Sequence, residues 1–306
     1  MSVKAADASL VRTEAVMGTL VTIQIVRGGQ DADEAIERAL EWFLEIEERC
    51  TRFDASSELM QLTAQSGTAV AVSPILFEAV RFALMVAEES GGAFDPTVGH
   101  RMAGLGFNRE HRTGEIAPIT ATPAADVSYR DVVLNEKNQT ILLRRPLTLD
   151  LGAVAKGLAV DTAVRELEPF EDFAIDAGGD LYLGGLNAKG EPWSVGIRHP
   201  RRDGELIDTL LVSGQAVCTS GDYERQTSAG HHLLDPRTGA STHAVASATV
   251  VAPAALLADA LATAAFVLGP QEGIPFLTGL GVEGLIITPD MQRHETPDLK
   301  KLLRRA

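Results

Sequence analysis

Cysteine and basic residues are both scarce in this chain of 306 residues. The two cysteines, Cys50 and Cys218, lie far apart and match no metal-binding or redox spacing, so we predict two buried, reduced thiols. Lys and Arg number 27 against 42 Asp and Glu, which gives a formal net charge of −15. Because such a negative field opposes contact with phosphate backbones and anionic membranes, we predict no nucleic-acid partner, and any bound nucleotide must be held by local groups.

Long apolar runs are missing as well. No stretch approaches the roughly 20 apolar residues that a membrane-spanning helix needs. Residues 1–10 contain neither an apolar core of signal-peptide length nor a cleavage pattern. We therefore predict a cytoplasmic protein without a membrane span. Hydrophobic residues make up 45% of the chain and charged residues 23%, as in ordinary soluble globular proteins. We expect one unit over residues 1–306, with flexible tails at 1–12 and 297–306.

The stretch from Leu149 to Asp161 joins a short apolar strand to an apolar helix. Asp150 ends the strand, Gly152 lets the backbone come close to a ligand, and Lys156 lies one turn into the helix. A helix N-terminus offers unpaired N–H groups and a positive dipole end, so this corner favours a phosphate or a similar anion. The alternative is a lysine that extends from a half-buried helix to solvent.

The remaining elements are predicted from periodicity, caps and turn residues. The pattern predicts a strand within Glu14–Val26, a helix from Asp31 or Asp33 towards Phe53, a short helix opening at Ser56–Glu58, a helix from Ser73 to Gly91–Gly92, a hairpin over Asp131–Leu143, a helix from the corner to about Pro169, strands at Phe173–Ile175, Trp193–Ile197 and Ile207–Val212, and an apolar helix over Ala254–Leu268. Residues 99–127 lack clear periodicity and are predicted as a long connecting loop near the site. Strands and helices mix without strict alternation, so the fold class is α/β with mixed sheets rather than a doubly wound sheet.

Asp259 and Thr263 interrupt the last apolar helix. They are four residues apart, so their oxygens project from the same face. An acid in so apolar a helix is costly to bury unpaired, and a hard cation such as Mg²⁺, which uses one or two carboxylates plus substrate phosphates, would offset that cost. A salt bridge or an exposed stripe would explain the same residues.

Three further polar segments stand out. The turn Ala93–Val98 places an acid and a threonine around a proline, and Asp176–Asp180 contains two adjacent glycines that permit close ligand approach. The segment from Thr219 to Gly239 gathers hydroxyls, acids and His231–His232 around glycines. Each has a plain alternative, namely a simple turn, a bulge, and histidines that are merely hydrogen-bonded.

Taken in order, these blocks closely resemble the ApbE family of FAD:protein FMN transferases. The blocks are Met17–Thr19, Gly92–Gly99, Leu149–Gly157, Gly178–Asp180, Thr219–Tyr223, His232–Gly239, and Ala258–Ala260 with Thr263. The resemblance covers about Met17 to Gly269. It implies an enzyme that cleaves FAD and attaches the FMN half, by a phosphoester bond, to a threonine or serine of an acceptor flavoprotein, with Mg²⁺ as cofactor. It also implies two closely packed lobes with mixed sheets and FAD, the substrate, between them.

The resemblance further implies roles for individual residues. Mg²⁺ would be held by the carbonyl of Ala153 and the side chains of Asp259 and Thr263. His232 would be the catalytic base, supported by Asp222 or Asp235, while Lys156 would stabilise charge on the diphosphate. The implied FAD contacts are Met17, Gly18, Thr19, Ala93, Phe94, Asp95, Asp150, Lys156, Gly178, Gly179, Asp180, Ser220, Gly221 and Leu233.

Some features depart from the family pattern. The chain shows no export signal or lipid-anchor cysteine, and the loop between Arg225 and His231 lacks the basic and aromatic residues common in relatives. Ala262 stands where some relatives place a third acid, which predicts weaker metal affinity. Two rival functions stay open: an FAD pyrophosphatase that releases free FMN and AMP, and a non-catalytic FAD-binding protein.

Overall fold

The computed structural model describes residues 9–29, 31–109, 114, 116 and 126–304. Its strands are β1 (Leu10–Val16), β2 (Thr19–Ile25), β3 (Ala69–Ala71), β4 (Val132–Asn135), β5 (Thr140–Leu143), β6 (Phe173–Ala177), β7 (Asp180–Gly184), β8 (Trp193–Arg198), β9 (Leu206–Val212), β10 (Gln215–Gly221), β11 (Gln226–Thr227), β12 (Gly230–His231), β13 (Ser247–Ala252), β14 (Glu283–Ile287) and β15 (Arg293–Glu295). Its α-helices are α1 (Ala32–Cys50), α2 (Glu58–Thr63), α3 (Pro74–Glu89), α4 (Gly99–Gly104), α5 (Ala155–Leu167) and α6 (Ala255–Gly279). Short 3₁₀ turns cover Tyr129–Asp131 and Leu299–Lys301.

An eight-stranded antiparallel sheet organises the molecule, in the order β1-β2-β6-β7-β10-β13-β14-β15. Because successive side chains along a strand point to opposite faces of the sheet, each central strand contributes residues to two hydrophobic cores, one on each face. In β10, Cys218 packs in the large core on the face covered by α1, α5 and α6, whereas Val217 points to the opposite face. There it meets Ile197 and Leu210 of the β8–β9 hairpin. The predicted combination of helices with several sheets is confirmed, and all the named strand pairs are antiparallel. Both cysteines are buried free thiols, as predicted.

Helix starts and stops follow local chemistry. The hydroxyls of Ser57 and Ser73 accept from backbone N–H groups three residues on and cap α2 and α3, and Pro74 occupies the first turn of α3. Gly269 interrupts the long α6 with φ 76°, a conformation that favours glycine. The predicted apolar helix over Ala254–Leu268 therefore corresponds to the part of α6 before this kink.

Several predicted boundaries were wrong. The segment Glu14–Val26 contains the end of β1 and all of β2 rather than one strand, because Met17 and Gly18 both adopt positive φ and turn the chain between β1 and β2. The inner parts of both predicted tails are ordered, since β1 begins at Leu10 and Leu303 bridges to Leu210 of β9. Residues 1–8 and 305–306 lie outside the described residues.

The predicted loop over residues 99–127 begins with helix α4. The six-residue helix has glycine at both ends, so its sequence carries little periodic signal. Residues 110–113, 115 and 117–125 lie outside the described residues. Among the helices that are described, none is long and apolar enough to cross a bilayer.

Candidate active site

A cavity of about 1550 Å³ lies where the predicted blocks converge. Its walls come from the β1–β2 turn, the turn before α4, the corner at the start of α5, the β6–β7 turn, the end of β10, the segment around His232, and α6. Every predicted site residue except Asp222 and Asp235 lines it. The corner and the late apolar helix, 100 residues apart in sequence, thus meet at one site.

Lys156 projects into this cavity instead of reaching solvent. Its Nζ pairs with Asp180, the buried first residue of β7. Burial lowers the pKa of Lys156, but the negative charges of Asp180 and Asp259 more than offset this, so its pKa is raised overall. The lysine therefore presents a permanent positive charge at the cavity wall, and the alternative of a solvent-reaching lysine is wrong.

Asp259 is the least satisfied acid of the site. It is 7% exposed, and its Oδ2 has no hydrogen-bond partner among the described residues. Burial, followed by the negative charge of Asp180, raises its pKa to about 8, against the opposing charges of Lys156 and Arg225. The burial removes the exposed-stripe alternative, and none of the salt bridges found among the described residues includes Asp259.

Thr263 lies one turn beyond Asp259 on the same helix, and its hydroxyl is 3.1 Å from that of Ser220. An unpaired carboxylate oxygen buried next to a hydroxyl fits an oxygen-coordinated cation, because a cation would supply the missing partner. Within the described part of the chain, no cluster of three or more His, Cys, Asp or Glu could hold a metal ion. The unpaired carboxyl group of Asp259 and the hydroxyl of Thr263 line the cavity together with Ala153, and oxygen donors of this kind suit Mg²⁺ with substrate phosphates.

Asp150 is held rigidly at the corner. Its Oδ2 lies 2.6 Å from Nε of Arg52, and its Oδ1 accepts from the backbone N–H of Gly152 at 2.8 Å. Burial raises the pKa of Asp150, but the charge of Arg52 and these hydrogen bonds lower it overall, so the carboxylate stays ionised. Arg52 also donates to the carbonyl of Phe107 and lies over the ring of Phe53.

Sequence reasoning missed Arg52 as a site residue. It lines the cavity, and its side chain is 6% exposed. Its partner lies 98 positions away in the chain, and no motif or spacing connects the two.

The Ala93–Val98 segment forms a turn and also lines one side of the cavity. Asp95 accepts from the N–H and hydroxyl of Thr97 and from the N–H of Tyr129, so its carboxylate holds the turn together. Gly178 and Gly179 adopt φ 66° and 97° between β6 and β7, and a Cβ on Gly178 would overlap the Thr19 hydroxyl. These plain structural roles are compatible with ligand contact, because the same residues face the cavity.

The two adjacent histidines have different environments. His231 is buried, its Nε2 is 2.6 Å from the carbonyl of Thr242, and its Nδ1 accepts from the N–H of Leu233, so both ring nitrogens are used. His232 lines the cavity, with Nδ1 3.4 Å from the carbonyl of Arg225. That contact assigns the proton to Nδ1 and leaves Nε2 able to accept. Burial and the charge of Arg225 lower the pKa of His232 to about 4.

Asp222 and Asp235 are not placed to support His232. Both oxygens of Asp222 accept from Arg201 at 2.7 Å, and Asp222 lies outside the cavity lining. Asp235 accepts from the backbone and side chain of Arg237 at 2.9 Å. The dense polar cluster therefore divides into ion pairs that shape the loops and a smaller set that reaches the cavity.

The fold and the cavity define a protein of mixed helices and sheets with a large cavity lined by the buried pair Lys156–Asp180 and by the buried acid Asp259. The sequence model of the ApbE family matches residues 17–286, so the chain belongs to the ApbE family. An FAD:protein FMN transferase of Treponema pallidum is 34% identical, over 91% of this chain and 84% of its own length.

Two solved structures are similar in fold. The ApbE protein of Thermotoga maritima has a TM-score of 0.86 at 28% identity and covers 97% of this chain and 100% of its own. The flavin transferase ApbE of Vibrio cholerae has a TM-score of 0.84 at 25% identity and covers 96% of this chain and 99% of its own.

Proposed function

We propose that this chain is a Mg²⁺-dependent FAD:protein FMN transferase. It binds FAD in the cavity, transfers the FMN moiety to a threonine or serine hydroxyl of an acceptor flavoprotein, and releases AMP. Its similarity to FAD:protein FMN transferases supports the transferase activity. The observation that carries the metal dependence is the buried Oδ2 of Asp259, which has no partner among the described residues and lies at the cavity beside a fixed positive charge.

Asp259, Thr263 and the carbonyl of Ala153 are the groups that would hold Mg²⁺. When bound, Mg²⁺ neutralises diphosphate charge and so makes the phosphorus a better electrophile. The donor set contains one carboxylate, because Ala262 supplies none. We therefore expect moderate metal affinity that depends on phosphate oxygens of the substrate.

Lys156 acts on the diphosphate as a preorganised charge. Asp180 keeps its ammonium protonated and fixed at the cavity wall, so no reorganisation is required when negative charge grows on the bridging oxygen. Asp150, fixed by Arg52 and Gly152, offers a rigid acceptor to hydroxyl or N–H groups of the substrate.

His232 acts as the general base. Nε2 takes the proton of the acceptor hydroxyl, the hydroxyl oxygen forms a bond to the phosphorus on the riboflavin side, and the bond from that phosphorus to the AMP oxygen breaks. The electron pair leaves with AMP. His232 is neutral at pH 7 because of its lowered pKa, so it is ready to accept a proton.

The flavin and adenosine contacts proposed from the resemblance are the lining residues Met17, Gly18, Thr19, Ala93, Phe94, Asp95, Gly178, Gly179, Ser220, Gly221 and Leu233. Met17 and Gly18 form the two-residue turn between β1 and β2, and both face the cavity. This position supports a role for the β1–β2 turn in ligand binding.

The proposal is tested with purified protein, FAD, Mg²⁺ and an acceptor flavoprotein that contains a flavinylation threonine. We expect covalent flavin on the acceptor, visible by in-gel fluorescence and as the mass of FMN minus water, with one AMP released per flavin. The acceptor with alanine at its threonine is the matched control. Free FMN and AMP without acceptor labelling would indicate the pyrophosphatase, and recovery of unchanged FAD would indicate a binding protein.

A further inference from the structure

Asp161 connects helix α5 to the start of helix α6. Its Oδ1 accepts from the backbone N–H of Ala255 at 2.7 Å, and its Oδ2 accepts from that of Leu256 at 2.9 Å. These partners lie 94 and 95 positions further along the chain. Ala254, at the N-cap position of α6, makes no side-chain capping bond. The cap of α6 therefore comes from another helix.

A carboxylate suits this position for two reasons. The first N–H groups of a helix have no partner within the helix, and the positive end of the helix dipole attracts negative charge. Asp161 satisfies two of these donors with one side chain, whereas a local serine or asparagine cap usually satisfies one. Its two bonds also differ from a local cap in that they fix α6 relative to α5.

Gly157 provides a second contact on the same face of α5, one turn before Asp161. A Cβ built on Gly157 would lie 2.5 Å from Cα of Leu256 and 2.7 Å from the carbonyl oxygen of Ala255. The two helices therefore approach backbone to backbone at this point. The close approach sets their separation, and the bidentate bonds of Asp161 set the position of α6 along its own axis.

The junction lies next to the cavity residues on both helices. Lys156 precedes Gly157 directly, and Asp259 and Thr263 follow Ala255 by one and two turns, since four residues of α-helix rise about 6 Å. If α6 shifted along its own axis by part of a turn, the side-chain oxygens of Asp259 and Thr263 would move away from Lys156 and the start of α5.

We propose that Asp161 is a positioning residue, which holds α6 in register against α5 and so keeps Asp259 and Thr263 at the Mg²⁺ position. This inference rests on the proposed function and adds to it a residue that does not touch substrate or metal. Side chains that orient metal-binding groups typically change metal affinity by about 10- to 100-fold when they are removed.

The test compares Asp161→Ala, Asp161→Asn and the control Glu58→Ala. Glu58 is a fair control because it accepts from the N–H and hydroxyl of Ser73 and so also fixes the start of another helix, α3, but it lies outside the cavity lining. Mg²⁺ binding to the FAD-loaded protein is measured by calorimetry, the Mg²⁺ dependence of FMN transfer by acceptor labelling, and stability by urea unfolding.

We expect Asp161→Ala to raise the Mg²⁺ half-saturation by about 10-fold or more in both measurements, with much of kcat recovered at saturating Mg²⁺. Asp161→Asn should fall between wild type and Asp161→Ala, because its amide oxygen accepts one N–H but carries no charge. Glu58→Ala should lose stability while its Mg²⁺ half-saturation stays at the wild-type value.

An unchanged Mg²⁺ half-saturation in Asp161→Ala, or an equal rise in Glu58→Ala, would overturn the inference. Should Asp161→Ala fail to fold, Asp161→Asn decides by the same measurement, and a wild-type value there also overturns it. A wild-type protein that neither binds Mg²⁺ nor labels the acceptor would instead contradict the proposed function.

Discussion

Replacing Gly157 by alanine places a methyl group where helices α5 and α6 touch. In an ordinary helix this change is favourable by about 0.5–1 kcal/mol, because glycine loses more backbone entropy on folding. At Gly157 the new Cβ would lie 2.5 Å from Cα of Leu256 and 2.7 Å from the carbonyl oxygen of Ala255. Normal contacts between carbon atoms are about 3.5–4.0 Å, so the helices must separate by roughly 1 Å.

The steric cost outweighs the gain in helix propensity. Forcing an extra methyl group into a packed core typically costs about 1–3 kcal/mol. The upper end applies here, because the atoms in the way belong to the backbone of a helix that Asp161 holds in place. We expect a net loss of about 2 kcal/mol, which lowers the melting temperature by roughly 3 °C in a protein of this size.

The assay is thermal and urea unfolding of Gly157→Ala, combined with Mg²⁺ titration of FMN transfer. Gly279→Ala is the matched control, since Gly279 lies at the far end of α6 and a Cβ there meets nothing within 4 Å. The control should be as stable as wild type or slightly more so. A Gly157→Ala protein as stable as wild type would refute the argument that the two backbones are in contact.

Three further predictions concern the cavity. Asp259→Ala should abolish FMN transfer while FAD still binds, because the carboxylate for Mg²⁺ is lost, and full activity would refute the ligand assignment. His232→Ala should slow transfer by about 10²- to 10⁴-fold, whereas a loss of about twofold or less would leave it a merely hydrogen-bonded residue. The pKa of His232, lowered from 6.5 to about 4, keeps the ring neutral as pH falls, so the ring signals of His232 in an NMR titration should stay constant from pH 8 to about 5 and shift only near pH 4. A titration midpoint near pH 6.5 would contradict that lowered pKa.

The sequence predicted those elements whose own residues carry a periodic signal. The apolar helix with Asp259 and Thr263 and the neighbouring strands β8 and β9 appear as expected. At the predicted strand-to-helix corner the helix forms as α5, but residues 149–151 form no strand, and Thr148 before them makes an isolated bridge to Val98. β1 was missed over Leu10–Arg12 because an exposed edge strand, solvated on most of its length, shows no alternation of apolar and polar residues.

Contacts over long sequence distances account for most of what sequence reasoning missed. Asp222 belongs to a conspicuous polar cluster, but Arg201 occupies both of its oxygens. Arg52 and Asp150 form a buried pair that only the folded chain brings together. Asp161 was visible as the last residue of the corner, yet its role depends on N–H groups more than 90 residues away, which no local pattern reveals.

The strand order has a consequence for how the protein folds. β2 pairs with β6 through Ile23 and Ile175, so the central sheet joins segments from both halves of the chain. Such high contact order predicts slow refolding, because the entropy of closing large loops is lost before the pairings stabilise the chain. We therefore expect FAD binding to be recovered only in the slowest phase of refolding. Binding of FAD would then indicate that the native strand pairs have formed.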